Sequence, residues 1–366
     1  MNVIERKQVN HTDQKITDFR IKQKQDYDFK VAYAEMRAWE FYRHSEIAGN
    51  AYAAVGGLDS ITMLIFLRKI GINIPAVSVS VLEDKSIQRI HQELGVICLP
   101  PEKSKVQVIQ EFGFPVLSKE ISGKIELLQN PSSKNKTVRH AIITGETGEY
   151  GGWQKNSRMK LSQKWLEKFG GYENENEGVN YQIPDFKVSD KCCYYLKEKP
   201  CNDYAKKTGR FPYMGLMASE GGRREKALMI NGCNYISKGT KRSAPFAIFS
   251  RQDLLRLAIE LKVPVPEIYG EIIQDTDGTL RTTKAQRTGC SMCGYGIHLE
   301  KRPHRFDRLY LSNRKEWDFW MNRCCKDETG HEYGWGRVLD YIGVEWRPET
   351  LYNQLAGQLS FEEVVG

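Results

Sequence analysis

Nine cysteines are spread over this 366-residue chain, and their spacing is its most chemically telling property. A tandem pair sits at Lys191-Cys192-Cys193, a single thiol follows at Asn231-Gly232-Cys233-Asn234, and a Cys-x-x-Cys pair lies in Thr288-Gly289-Cys290-Ser291-Met292-Cys293-Gly294. Thiolates in tandem and a distant Cys-x-x-Cys can close around one metal centre. Four thiolates suit zinc or an iron–sulfur cluster, and spacing does not separate the two. Cys201, Cys324 and Cys325 read as small buried or reduced surface thiols, and Cys98, in an apolar run, reads as core.

Well upstream stands Val55-Gly56-Gly57-Leu58-Asp59-Ser60. A turn from a strand into a helix exposes backbone N–H groups at the positive end of the helix dipole, which is an anion site. Gly56 and Gly57 lack a Cβ and let the chain approach a phosphate. Asp59 and Ser60 stand where the helix begins, suited to capping and to donating a hydroxyl. Arg223 and Arg224 follow a Gly-Gly turn, and bidentate guanidinium groups suit phosphate or sulfate oxygens. His298, Lys301, Arg302, His304 and Arg305 form a basic run just past the Cys-x-x-Cys, which reads for the most part as a solvated face.

The elements that must hold these residues follow the hydrophobic pattern. Residues 1–28 are polar and read as an arm or a loose first helix. Apolar residues at three- and four-residue intervals predict a helix over 29–44, and Ser60–Ile70 predicts a second. Strands are expected at Ala51–Val55, over 75–81, at 96–99 and at Ala141–Thr144. Residues 130–136 and 146–157 read as polar loops. Further on, 192–197 reads as helical, Tyr213–Met217 as a strand, and Ser250–Leu261 as a helix with Ser250 as its N-cap. Strand, glycine turn, helix, strand is the unit of a parallel twisted sheet with helices on both faces, so the fold class is α/β. The division along the chain is an N-terminal arm at 1–28, a nucleotide-binding α/β domain at 29–182, and a C-terminal cysteine-rich, metal-binding part at 183–366 that completes or packs on the same core.

Hydrophobic residues make up 40% of the chain, which marks a globular protein. The longest apolar stretch is interrupted by Arg68, Lys69, Asn73 and Pro75, so no membrane span is expected. The polar N-terminus lacks the hydrophobic segment of a signal peptide, and a cytoplasmic location is expected, where thiols stay reduced. The formal charge of +8 suits an anionic partner, a phosphorylated small molecule or a nucleic acid.

Val55 to Ser60 resembles the Ser-Gly-Gly-x-Asp-Ser pyrophosphate loop of the adenine-nucleotide alpha-hydrolase (PP-loop) superfamily, with Val55 in place of the first Ser. The cysteine segments, together with Met217-Ala218-Ser219-Glu220 and Asp340 to Trp346, resemble the phosphoadenosine phosphosulfate reductase family, including its phage-borne members. The similarity runs from about residue 50 to 345 and is weakest between 80 and 180. It implies an enzyme that handles ATP or another adenine nucleotide, with magnesium, beside a 4Fe-4S cluster, zinc being the alternative metal. By the same resemblance Gly56, Gly57, Asp59, Ser60, Arg223 and Arg224 bind the nucleotide, with Asp59 and Ser60 acting in catalysis. The metal ligands it implies are Cys193, Cys290, Cys293, and Cys192 or Cys233.

Sulfonucleotide reductases attack their substrate with a cysteine in a C-terminal tail, and the stretch from Leu355 to Gly366 holds none. The expected function is therefore adenylating, pyrophosphate-releasing sulfur transfer to tRNA, DNA or a small molecule, served by a sulfur donor or a thiol-reductant protein. A reductase working through Cys324 or Cys325, and a non-catalytic nucleotide-binding component of an assembly, are the alternatives.

Overall fold

The computed structural model of the protein describes residues 3–170, 183–290 and 292–351, with side chains left undescribed at 3–11 and at Arg223. In chain order the elements begin with α1 (Val3–Gln23), α2 (Tyr27–Arg43), β1 (Ala51–Ala54), α3 (Leu58–Lys69), β2 (Ala76–Ser78), α4 (Lys85–Glu93) and β3 (Ile97–Cys98). Helices α5 (Lys105–Phe112), α6 (Lys119–Gln129), α7 (Lys136–Thr144), α8 (Gln163–Phe169), α9 (Lys191–Cys193) and α10 (Lys199–Thr208) follow. Next come β4 (Phe211–Met214), α11 (Gly222–Asn231), β5 (Asn234–Ile236), β6 (Lys241–Ser243), α12 (Arg251–Glu260), β7 (Ile272–Gln274) and β8 (Leu280–Thr282). The last are α13 (Arg305–Ser312), α14 (Arg314–Asp318), β9 (Cys325–Lys326), β10 (Glu332–Tyr333) and α15 (Trp335–Ile342).

The chain divides into two compact units whose segments alternate, with boundaries at 101/102, 196/197 and 291/292 rather than at one point near 182. The first unit holds a six-stranded sheet in the order β3-β2-β1-β4-β6-β5. Strand β1 pairs in parallel with both β2 and β4, β2 with β3, and β4 with β6. Only the edge strand β5 runs antiparallel, against β6. The expected parallel sheet is therefore a mixed one, an antiparallel edge on a parallel core being a common variant of open α/β sheets.

One face of this sheet makes the unit's core. Ala51, Ala53, Ala76 and Tyr213 meet Ala34, Ala38 and Phe41 of α2, Ile61, Leu64 and Leu67 of α3, and Leu254, Leu255 and Ala258 of α12. Small alanines on the strands let the helices sit close, and each fully buried Ile, Leu or Phe side chain contributes about 1.5–3 kcal/mol. Phe19 of α1 joins the same core at 5% exposure, so the N-terminal segment is a packed helix and not an arm. Asp26 caps α2 through the Phe29 amide, and Ser250 caps α12 in a capping box with Asp253.

The second unit is mainly helical, with a core of Phe114, Ile125, Ile142, Trp165, Phe169, Phe306, Trp335 and Leu339. Here Ala141–Thr144, expected as a strand, is the last turn of α7, which Gly145 closes in the left-handed conformation at φ 87°. The basic run past the Cys-x-x-Cys is not a solvated face either. Arg302 and Asp307 form a buried pair at 2.6 Å, His304 is 1% exposed and caps α13, and Arg305 binds Glu300 and the Cys293 carbonyl. Cys98, expected in the core, is exposed on β3, an edge strand with both residues facing out.

Candidate functional site

Strand β1 ends at Ala54, and the chain turns through Val55-Gly56-Gly57 into α3 with Gly57 as N-cap. From β1 the strand order runs outward through β2 to β3 on one side, and through β4 on the other. The glycine turn thus stands at the carboxyl end of the strand where the order reverses, the place where open α/β sheets take their ligands. The Val55 side chain, in the position of the missing hydroxyl, is 6% exposed and belongs to the core.

Inside the turn the hydroxyl of Ser60 accepts from the Gly56 amide at 2.7 Å and donates to the Gly57 carbonyl at 2.9 Å. The Leu58 amide donates to the Tyr269 hydroxyl at 3.1 Å, and that hydroxyl lies 2.7 Å from Thr288 Oγ1. Two amides of the turn are therefore satisfied by hydroxyl oxygens, acceptors that a phosphate oxygen can replace. A Cβ on Gly57 would overlap the Tyr269 hydroxyl. Gly215, just past β4, is required for a different reason: a Cβ there would come within 2.8 Å of the Ser60 Cα.

His91 of α4 fixes the turn from below. A carbonyl only accepts, so its Nε2 donates to the Gly56 oxygen at 2.8 Å, and Nδ1 then accepts from Ser80 Oγ at 2.9 Å. Burial keeps His91 below the ordinary imidazole range. Asp59 pairs with Arg251, the first residue of α12, which also donates to the Gln286 carbonyl. Burial raises the Asp59 carboxyl above its usual value although Arg251 opposes this, and Glu220 adds like charge. The upward direction reflects a partly dry setting. Glu220 itself holds Arg224 at 2.6 Å and has Arg287 at 3.7 Å. Arg224 is thus paired and half exposed. The Arg223 side chain lies outside the described residues.

The other face of the sheet, presented by Tyr52, Ala54, Val77, Val79 and Met214, floors a cleft of about 870 Å³. Tyr204 of α10 crosses Tyr52 edge-on at 5.3 Å, and Lys197, Cys201, Lys206, Arg210, Lys241 and Arg242 supply the polar rim. Gly56 and Glu83 line the same cleft, where the Lys197 ammonium donates to Glu83 at 2.7 Å. Burial works against that ammonium, but Cys290 and Glu83 beside it hold its pKa above the ordinary lysine value.

The cysteines divide among these settings. Cys290 belongs to the first unit, beside Lys197. In the second unit burial raises the pKa of Tyr295, and Cys193, Cys192, Asp190 and Cys293 in its surroundings act in the same direction. The Tyr295 hydroxyl is buried without a hydrogen-bond partner among the described residues. Met292, inside the Cys-x-x-Cys, adopts a left-handed φ of 54°, uncommon for a side chain of its kind and typical of tight functional turns. Cys233 sits apart in the first unit's core at 3% exposure, next to Tyr33, with its thiol pushed up to about 11 by burial. Cys324 and Cys325 are buried at 4.0 Å from each other, and hydrogen bonding between them, then burial, disfavours the Cys325 thiolate. No disulfide joins any of the nine cysteines. Among the described residues no three His, Cys, Asp or Glu side chains stand in a metal-binding arrangement.

Several of the residues that build the site carry no signal in the sequence. Tyr269 lies in a single 3-10 turn and Arg251 begins a helix about 190 residues from the carboxylate it meets. His91 occupies an amphipathic helix and is indistinguishable there from a packed core histidine. Lys197 is foreshadowed only by following the tandem cysteines.

No protein-family model matches this sequence, and no curated protein matches it. Among solved structures the chain is similar to a phosphoadenylyl-sulfate (PAPS) reductase from Candida auris, solved as a phosphate complex. The identity is 11%, the match covers 63% of this chain and 83% of that chain, and the TM-score is 0.31. A likeness of that size carries no argument about fold or function. No described helix is long and apolar enough to cross a membrane.

Proposed function

We propose that this chain binds an adenine nucleotide, ATP foremost, at the glycine turn and uses it for adenylating sulfur transfer of the PP-loop kind. The observation that carries the reading is the placement of Gly56 to Ser60 at the reversal of strand order, with Gly56 lining a cleft that has an apolar floor and a cationic rim. A flat aromatic base suits the floor made by Tyr52, Ala54 and Val79, and a polyphosphate suits the rim cations and, on displacing the two hydroxyl oxygens, the amides of the turn. Phosphate oxygens would take the places of Ser60 Oγ and Tyr269 Oη on the Gly56 and Leu58 amides. Asp59, held by Arg251, is placed to receive magnesium or to orient the phosphates.

The chemistry asks for positioning and charge stabilisation more than for a protein nucleophile. An acceptor oxygen attacks the α-phosphorus, the bond to the β-phosphate breaks, and pyrophosphate leaves with its charge met by Lys197, Lys206 and Arg242. A hydrosulfide-level sulfur then attacks the activated carbon and AMP departs with the oxygen. Where the donor is a persulfide, a second thiol supplies the two electrons and leaves as a disulfide.

The metal group is carried over from the cysteine motifs themselves, a thiolate set that suits zinc or an iron–sulfur cluster. Its ligands would be Cys193, Cys290 and Cys293, with Cys192 favoured as the fourth because Cys233 is packed in the core beside Tyr33. A 4Fe-4S cluster would supply redox or sulfur-holding capacity, and zinc only a structural clamp. The burial of Cys324 and Cys325 speaks against the reductase alternative, which needs a reactive thiol.

Incubation with ATP, magnesium, hydrosulfide and tRNA or single-stranded DNA under anaerobic conditions tests the reading. Equal release of AMP and pyrophosphate, lowered in Ser60→Ala, is expected. ADP and phosphate would sink it, and so would sulfite formed from adenylylsulfate. Nucleotide binding without turnover would leave a binding component only.

A further inference from the structure

In the second unit, residues 145–160 fold into a compact loop that holds two aromatic rings in solvent. The Thr147 amide donates to the Gln154 carbonyl at 2.9 Å, the Gln154 amide donates to Thr147 Oγ1 at 2.9 Å, and Ser157 closes the loop onto the Gly145 carbonyl at 2.9 Å. A Cβ on Gly148 would stand 3.1 Å from the Thr137 methyl, so the loop seats on the first turn of α7. From this base Tyr150 is fully exposed and Trp153 is 74% exposed. Trp153 also takes a φ of +53°, a conformation that favours Gly, Asn or Asp and is uncommon for a bulky residue. Neither core packing nor turn preference explains a tryptophan there, and backbone strain of this kind is kept where the side chain has work to do.

The surroundings are cationic. Eight Lys or Arg stand against three Glu between Ser132 and Lys168, an excess that makes up more than half of the chain's net +8. Lys134, Lys136, Lys155, Arg158, Lys160 and Lys164 are all exposed. No ion pair between these six and a carboxylate occurs among the described residues.

We infer that the 145–160 loop is a stacking platform for single-stranded nucleic acid, with Trp153 and Tyr150 taking unpaired bases and the surrounding lysines and Arg158 meeting the phosphates. Aromatic faces accept any base and basic side chains track the backbone, the combination by which single strands are held with little sequence preference. The inference deepens the proposed function by naming the acceptor class. It rests on that reading only for what becomes of the bound strand, since binding itself needs neither ATP nor metal.

Fluorescence anisotropy with a labelled mixed-sequence 20-nucleotide DNA and RNA, without ATP and over a range of salt, tests it on the full chain. Single strands are expected to bind more tightly than the matching duplex. Tyr150→Ala/Trp153→Ala is expected to weaken them about tenfold or more, and Lys155→Glu/Lys160→Glu to weaken them while flattening the salt dependence. Thermal melting of Trp153→Gly guards the interpretation: a higher midpoint with lost binding identifies a ring kept for its ligand, whereas a lower midpoint identifies a structural tryptophan and overturns the inference. It also falls if the wild type fails to bind oligonucleotides, if the double alanine variant binds as well as wild type, or if heparin or anionic phosphatidylserine vesicles compete while the aromatic substitutions change nothing. Strand binding without AMP and pyrophosphate release would leave the platform standing and remove the proposed chemistry.

Discussion

At the scale of single residues, the glycine turn is held by groups that a nucleotide would have to displace or work beside. Tyr269→Phe removes the acceptor of the buried Leu58 amide and is expected to lower stability by about 1–3 kcal/mol, the usual cost of orphaning a buried donor. Bound ATP would supply an oxygen to the same amide, so the nucleotide-induced rise in melting temperature should be larger in Tyr269→Phe than in wild type. Equal rises would mean that no phosphate reaches Leu58. His91 gives the pH dependence. Burial lowers its pKa, so the unfolded chain takes up a proton more readily than the folded one as the medium becomes acidic. The stability contributed by its neutral ring is present above 6.5, its ordinary value, and is lost as pH falls below it. His91→Gln, able to donate to the Gly56 carbonyl without titrating, is expected to flatten that part of the stability-against-pH curve measured by urea unfolding.

At the scale of elements, the close approach of β4's end to the start of α3 is what keeps the turn in place. Gly215→Ala puts a methyl within 2.8 Å of the Ser60 Cα and 3.0 Å of its amide nitrogen, backbone atoms that cannot swing aside. Gly56→Ala meets only the Glu83 carboxylate at 3.6 Å and Ser60 Oγ at 3.8 Å, ordinary contacts. Denaturant unfolding should therefore show Gly215→Ala losing about 1–3 kcal/mol and Gly56→Ala little, an order that a generic glycine effect would not produce. These elements were legible to different degrees. The helices at 27–43 and 251–260 announce themselves by apolar residues at helical spacing and, at Ser250, a capping side chain, and the one at 58–69 by a run of apolar residues buried nearly all round. Ala141–Thr144 misleads because three adjacent β-branched residues before a glycine look alike in a strand and in the last turn of a helix. The turn's chemistry is readable in Gly56, Gly57 and Ser60, whereas Tyr269 and Arg251 reach it only by tertiary folding from some 190 to 210 residues away.

At the scale of the whole molecule, the partition of the nine cysteines decides which of them remain open to a metal. Burial takes Cys233 into a core beside Tyr33 and encloses Cys324 and Cys325 as a neighbouring pair, while Cys98 and Cys201 stand singly. What is left is the motif set of Cys192, Cys193, Cys290 and Cys293, the one that the proposed reading assigns to a metal. On that reading anaerobically purified protein is expected to carry about four irons and a matching amount of acid-labile sulfide, with broad absorbance in the visible range. Cys293→Ala should lose both, and Cys233→Ala and Cys324→Ala should keep both while paying only the modest stability cost of a small core cavity. Retention of iron in Cys293→Ala would overturn the ligand set, and loss in Cys233→Ala would move the fourth ligand to that residue. One zinc per chain without sulfide would leave a structural metal, and sulfur would then have to come to the activated acceptor from the donor alone.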